Sequence, residues 1–518
     1  MNIIKSFSLM SFLTFMSRIF GYIRDLFFAF IFGASSSADN FLLAFRLPNL
    51  FRRLFGEGAI NNAFIPIYLD VKKISSERAI LFSSNSLGLI FIILAVATLI
   101  SLFFMKPIIT LLAPGFSEDN IIKTSYLASI MFPYLILISL SSFFAALLNA
   151  NGRYLLWAFC PIILNIFMIL AMILSYYKLL ITEILLSWSV LLSGLIQIII
   201  LFIWIRKKNI KVKFVKPKIT RNIKKLLKLI FPNILAGGII QINQFIGVIF
   251  ASSIPGAISW LYYADRITQL PLGIFVISIS TILLTLLSKN EANNNIRKIK
   301  NQVDISCLLM LSFTMISMVG LLILSDLIID ILFRRGKFGY GDVLATSDAI
   351  KMYALGLPAF GFIKIFSVIF FSKQNTLIPF KVSALAMVIN FILIYILVNK
   401  IGHLGIALAL SISSWFNAVI LYIYLRLNNF WKIDKNLLIK FLKVIICSFI
   451  TFIIVVMVNM FILYTDYFNL NNLLSKTMVL SLLILLAGII FFLLFFVLGI
   501  MSLKDFRKKN IKNILKEH

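Results

Sequence analysis

Apolar runs recur along the chain from its first residues to position 500, broken by short stretches rich in Lys, Asn, Ser and Gly. Each run has about the 20 residues that carry an α-helix across ~30 Å of hydrocarbon. The runs predict fourteen membrane spans, near 7–32, 38–68, 79–104, 124–148, 154–175, 180–204, 229–252, 258–287, 303–328, 346–371, 378–399, 404–425, 441–464 and 477–500. Within them the residues are apolar throughout instead of at every second position, which excludes a β-barrel. The expected fold class is an all-α polytopic membrane protein. The first run contains Arg18, Arg24 and Asp25 and lacks a small-residue cleavage site. It reads as a true span and not as a cleaved leader.

The pattern repeats within the chain. FPYLILISLSSFFAALLNANGRYLLWAFCPIILN (Phe132–Asn165) parallels LPAFGFIKIFSVIFFSKQNTLIPFKVSALAMVIN (Leu357–Asn390), with Pro133 matching Pro358 and Asn165 matching Asn390 at an offset of 225. Likewise ADNFLLAFRL, from Ala38, parallels WLYYADRITQ, from Trp260, with Arg46 matching Arg266 at an offset of 220. The offset is six spans, an even number, so both copies keep one orientation and their pseudo-twofold axis runs along the membrane normal. The expected organisation is an N-terminal six-helix lobe (1–205), a basic cytoplasmic linker (206–228) and a C-terminal six-helix lobe (229–427). The last two spans (428–500) fall outside the repeat, and a basic tail (501–518) follows.

Composition agrees with the solvent that the runs imply. Hydrophobic residues make up 61% of the chain and charged residues 13%, and the mean hydropathy is +1.03. Soluble domains lie well below this. The net charge of +30 would fit nucleic acid if the basic residues clustered on one face, but they follow the spans. With the N-terminus in the cytoplasm, 33 of the 49 Lys and Arg fall in inner loops and ends, eight in outer loops and eight within spans. This is the positive-inside distribution, with both termini cytoplasmic and the basic loops against anionic headgroups. No nucleic-acid role is expected. One outer loop departs from the rule: RRGKFGYGD, Arg334 to Asp342, carries three cations. It reads either as a solvated loop or as an anion contact at the outer mouth of a pathway.

Catalytic chemistry finds little support. Cys160, Cys307 and Cys447 lie far apart with no metal spacing, and only two His are present. No GxxxxGK[ST] or GxSxG motif occurs, so neither an enzyme nor a cofactor is expected.

The charges inside spans are the informative feature. Asp39 to Tyr68 reads DNFLLAFRLPNLFRRLFGEGAINNAFIPIY, an apolar segment that also holds Arg46, Arg52, Arg53 and Glu57. A cation at mid-bilayer costs roughly 3 kcal/mol on insertion scales, so these groups must face water or one another. Arg18, Gly21 and Asp25 fall on one helical face, and Asp39, Arg46 and Arg53 on another. Pro48 and the Gly56–Gly58 segment weaken the second helix. Buried ion pairs that fix packing account for Arg53 with Glu57 and for Asp265 beside Arg266, and Arg46 can snorkel to the membrane surface. Arg18, Arg24, Arg52 and Arg266 outnumber the carboxylates near them, chiefly Asp25 and Asp39. That surplus calls for an anion from elsewhere, and a guanidinium suits phosphate or carboxylate. The expectation is a cationic cavity that receives an anionic substrate.

At these residues the chain resembles a known family. SRIFGYIRD (Ser17–Asp25), GASSSADNFLLAFRLPNLFRRLFGEGAINNAFIPIY (Gly33–Tyr68), LLAPGF (Leu111–Phe116), LLNANGRY (Leu147–Tyr154), WLYYADRITQLPLGI (Trp260–Ile274) and RGKF (Arg335–Phe338) are similar to the MurJ, or MviN, lipid II flippases of the MOP exporter superfamily. The resemblance implies fourteen spans in two lobes and alternating access through a cationic central cavity. It implies transfer of lipid II, the undecaprenyl-pyrophosphate-linked disaccharide-peptide, to the outer leaflet of the bacterial inner membrane by a monomer among membrane lipids. It assigns substrate binding to Arg18, Arg24, Asp39, Arg52 and Arg266, with Asn49, Arg53, Glu57 and Ser259 in support. It also makes the last two spans a groove for the lipid tail. Some members are credited with a sodium site on carboxylates of spans seven and eleven. Those spans hold no Asp or Glu here, which points to the membrane potential as the drive. A MOP-type exporter of drugs or of another polyprenyl-linked glycan is the alternative. A scaffolding role would leave the intramembrane arginines without a physical purpose.

Overall fold

A computed structural model describes residues 3–51, 60–153, 155–177, 181–292, 296–464 and 472–501. Among them the regular structure is entirely helical. A helix occupies each expected span. Ten are long and apolar enough to cross a membrane, and an eleventh is a pair bent by 43° (Tyr340–Ala354 with Leu357–Ser372). The expected first, second and seventh spans are the exceptions. The first carries Arg18, Arg24 and Asp25, the second runs into residues 52–59, outside the described residues, and the seventh shows only Gln241–Ala251 as a shorter apolar helix.

Contacts divide the chain into two compact units, residues 1–259 with 335–338, and residues 260–334 with 339–518. The first unit contains α1 (Ile3–Phe32), α2 (Ser36–Phe51), α3 (Ile60–Ile74), α4 (Ser76–Phe103), α5 (Met105–Leu112), α6 (Glu118–Met131), α7 (Tyr134–Ala150), α8 (Leu155–Tyr176), α9 (Thr182–Lys207) and α10 (Arg221–Ala251). Helix α1 lies on α8, α2 on α6, α3 on α4 and α7, and α9 on α6, α7 and α8. The core is aromatic: Phe64 stacks on Phe82 at 5.5 Å and meets Phe143 edge-on at 4.8 Å, arrangements that add to simple burial. Small residues allow close approach, as lipid cannot drive helices together. A methyl group on Gly194 of α9 would sit 2.6 Å from the Tyr134 ring.

The basic linker is an ordered strap. The Lys213 amide donates to Ser84 Oγ and the Lys218 amide to Asn85 Oδ1, each at 3.0 Å. Gly88 admits the Val215 carbonyl, which would lie 2.3 Å from any Cβ there. Helix α10 follows the strap and packs on α3, α4 and α5. The boundary between units therefore falls after α10, at residues 259 and 260, and not at the linker.

The second unit holds α11 (Ala257–Pro271, from Trp260 onward), a π-helical turn (Leu272–Val276), α12 (Ile277–Ala292), α13 (Ile296–Phe333), α14 (Tyr340–Ala354), α15 (Leu357–Ser372), α16 (Leu377–Ile401), α17 (His403–Leu427), α18 (Lys435–Tyr464) and α19 (Leu473–Val497). Its internal packing restates that of the first unit. Helix α12 lies on α13 and α15 as α3 does on α4 and α7, and α17 lies on α14, α15 and α16 as α9 does on α6, α7 and α8. Helices α18 and α19, outside the repeat, pack on α13. At the C-terminal end of α13 Asp330 joins Lys476 of α19 and Arg334. Toward the N-terminal end of α13 Trp431 is buried and its indole N–H donates to Asp304 at 2.7 Å. Beside it Asp434 pairs with Lys300 at 2.6 Å and caps α18 by accepting from the Leu437 amide at 2.9 Å. The Lys300 ammonium first, and that amide second, hold the Asp434 carboxyl below its ordinary range.

Candidate functional site

The structure puts Arg24 in an unexpected setting. Its guanidinium is buried, donating to Asp25 Oδ1 from Nη2 at 2.6 Å and from Nε at 3.1 Å, and to Asn165 Oδ1 from Nη1 at 3.0 Å. Asn165 in turn donates from Nδ2 to the Ser17 carbonyl at 3.3 Å. The stripe of α1 that meets α8 is thus Ser17, Gly21 and Arg24, at the i, i+4, i+7 spacing of one helical face. Arg24 thus takes up Asp25, one of the two carboxylates set against the four arginines. Neighbouring residues project about 100° apart, but the long Arg side chain folds back to the carboxylate beside it. Arg18, six residues earlier, is exposed.

Asp39 is also buried, and it accepts hydrogen bonds from the Gly256 amide at 2.7 Å, the Ser259 amide at 2.9 Å and Ser259 Oγ at 2.6 Å. Gly256 has φ +85°, a left-handed conformation that turns the chain into the helix beginning at Ala257. A carboxylate at a helix N-terminus is favoured by the unpaired amides and the helix dipole. Asp39 and Ser259, expected as substrate contact and supporter, are therefore brought to each other, and Asp39 serves as a clamp on this turn. Arg46 reaches the Gln244 carbonyl at 3.5 Å, the limit of a hydrogen bond. Asn49 is half-buried one residue beyond Pro48. Arg52, Arg53 and Glu57 lie outside the described residues.

In the second unit the Arg266 guanidinium lies over the Tyr262 ring at 5.0 Å, and its Nη2 donates to the Tyr262 hydroxyl at 3.0 Å. Asp265 turns instead to Gln269, four residues on, so the pairing of Asp265 with its sequence neighbour is corrected. The difference from Arg24 is local: an aromatic one turn back offers both a π face and a hydroxyl.

The RRGKFGYGD loop splits into two roles. Arg334 pairs with Asp330 at 3.0 Å and covers the Tyr340 ring at 5.2 Å, a structural contact. Residues 335–338 join the first unit, where the Lys337 amide donates to the Phe30 carbonyl at 3.0 Å. Gly33 (φ +59°) and Gly336 (φ +57°) make this fit possible. A Cβ on Gly336 would lie 2.2 Å from the Phe30 carbonyl oxygen, and one on Gly33 2.5 Å from that of Lys337.

Two residues escaped the sequence reading. Asn165 was visible only as half of the repeat match, and nothing in the sequence joined it to Arg24. Lys364 stands exposed at the middle of α15, inside LPAFGFIKIFSVIFFS. Its signal was plain, a lone cation in an apolar run, which needs water or an anion.

The family model described as "Lipid II flippase MurJ" matches residues 28–479. A Rickettsia prowazekii protein named "Probable lipid II flippase MurJ" is 35% identical over 500 residues, covering 95% of this chain and 97% of its own length. The solved structure "Lipid II flippase MurJ, inward closed conformation" aligns at a TM-score of 0.79 and 30% identity, covering 95% of this chain and 98% of that one. An inward-facing multidrug resistance MATE family transporter of the MOP superfamily aligns at a TM-score of 0.69 over 81% of this chain and 97% of its own; at 15% identity it speaks for the fold alone.

Proposed function

This chain belongs to the lipid II flippase MurJ family, and from that premise we propose that it moves lipid II from the inner to the outer leaflet. Family membership makes it a transporter and a multi-pass protein of the bacterial inner membrane. The task is electrostatic. A pyrophosphate and its hydrophilic sugar and peptide must pass ~30 Å of hydrocarbon, where an uncompensated charge costs several kcal/mol. Cations placed inside spans lower that cost, and a guanidinium fork matches phosphate oxygens. In our reading Arg18, Arg24, Arg52, Arg266 and Lys364 receive the pyrophosphate as the protein alternates its access, while Asn49, Arg53 and Glu57 support them. The chain acts as a monomer with both termini cytoplasmic.

The observation that carries this reading is the buried guanidinium of Arg24, held on two sides within a membrane helix. Its carboxylate partner neutralises it while no substrate is bound, and an entering pyrophosphate exchanges with Asp25 for the same fork. Asp39 has a different part, holding the turn at Gly256 to Ser259. The test is a leaflet-sidedness assay for lipid II in cells whose own flippase is depleted and replaced by this chain. Lipid II should reappear on the outer face with the parent chain and not with Arg24→Ala present at equal abundance. An exporter of drugs or of another polyprenyl-linked glycan would leave lipid II inside in both cases, and that outcome would reject the proposal.

A further inference from the structure

We propose that Asn165 is a positioning residue for the substrate-binding guanidinium of Arg24, an inference that rests on the function proposed above. Asn165 sits on α8, buried, and spans two turns of α1. Its Oδ1 accepts from Arg24 Nη1 and its Nδ2 donates to the Ser17 carbonyl seven residues earlier. These partners fix the amide orientation, because the guanidinium only donates and the carbonyl only accepts. Gly21, midway between them, would place a methyl group 3.5 Å from Nδ2, so the amide lies directly against the α1 backbone.

The choice of an amide matters. Asp25 holds one side of the fork and already neutralises its charge. A second carboxylate at position 165 would tie the cation down and repel a pyrophosphate, and an apolar side chain would remove the acceptor that holds Nη1 from α8. A neutral acceptor fixes the fork's direction without competing for its charge. A general need of the fold for an amide here is the competing explanation, because the internal repeat carries one too. The matching Asn390 is buried as well, but the stretch 220 to 225 residues beyond Arg24, Gln244–Ile249, contains neither Arg nor Lys. The second copy thus has no basic residue matching Arg24, and only the Arg24→Ala background separates the two roles.

The test uses the purified full-length chain, with lipid II binding and thermal unfolding measured on the same samples. Asn165→Ala should weaken lipid II binding about fivefold, the low end for a misdirected charge-assisted hydrogen bond. In an Arg24→Ala background the same change should have no further effect on binding. Asn165→Asp, nearly the same size, should weaken binding more than Asn165→Ala without lowering the unfolding temperature below it. Parental binding by Asn165→Ala or by Asn165→Asp would overturn the inference. So would an Asn165→Ala loss of equal size with and without Arg24, since a purely structural amide acts independently of the cation. Parental binding by Arg24→Ala alone would instead reject the site assignment on which the inference stands.

Discussion

Two ion pairs in this molecule have the same closest N–O distance, 2.6 Å, in opposite surroundings. Arg24–Asp25 lies inside the first unit with side chains 8% and 7% exposed, and Lys300–Asp434 lies at the rim of the second with side chains 44% and 37% exposed. Distance alone would rate them equal. Solvent separates them, because a pair in water replaces good hydration with modest attraction, whereas a buried pair has no hydration to fall back on. The rim pair can be lost cheaply. The buried pair holds a charge that must have a partner at all times, either its own carboxylate or an arriving anion. That asymmetry is what suits Arg24 to a substrate exchange and Asp434 to a cap.

The largest effect that would break or sharpen this contrast comes from removing one buried partner. Asp25→Ala removes the carboxylate paired with the buried Arg24 guanidinium and should destabilise the chain by about 3–5 kcal/mol. Thermal unfolding of the purified protein reads this, and a loss no greater than that of Asp434→Ala would show that burial does not divide the pairs.

A smaller effect concerns the cation's shape. Arg24→Lys keeps the charge but cannot reach both Asp25 and Asn165 as a planar fork does, and it should weaken lipid II binding by roughly 1–3 kcal/mol, about 5- to 150-fold. Arg266→Lys should lose less, because an ammonium over the Tyr262 ring retains a cation–π contact of about 0.5–2 kcal/mol. If Arg266→Lys proves the weaker binder, the cross-helix grip on Arg24 is not what specifies the site.

The fold was largely legible because its signal is one of bulk: apolar length reports hydrocarbon thickness, and an offset of six spans reports a repeat whose packing recurs in both units. The site was legible as a set of residue types but not as a set of partners. Face counting set Asp25 with Arg18, yet the stripe that meets α8 begins one residue earlier, at Ser17. Backbone spacing places Cβ atoms, and a side chain as long as Arg ignores a 100° offset. Asp39 shows the same limit. It was grouped with the cations because it shares a helix face with Arg46, but among the described residues it also accepts from the Gly256 and Ser259 amides and the Ser259 hydroxyl, more than 200 residues away. No spacing rule reaches across that distance.

The rim pair supplies the smallest effects, and they test the same contrast from its weak side. Asp434→Ala should cost about 0.2–1 kcal/mol from the pair, plus about 1 kcal/mol for the lost cap on Leu437. Raising the salt concentration should remove the first contribution and leave the second, because exposed charges are screened while a cap hydrogen bond is short-range. The pH dependence has a definite sign. Lys300 and the Leu437 amide lower the Asp434 carboxyl in the folded chain. Its contribution is therefore present above the unfolded value of ~3.9 and disappears as pH falls through the lower folded value. Between neutral pH and about 5 it should stay constant, and the parent should converge on Asp434→Asn only in stronger acid. Unfolding temperatures of the two proteins, measured down a pH series, decide this. A gap that closes near neutral pH would mean that the carboxyl is not lowered and that the rim pair contributes nothing for the buried pair to be compared with.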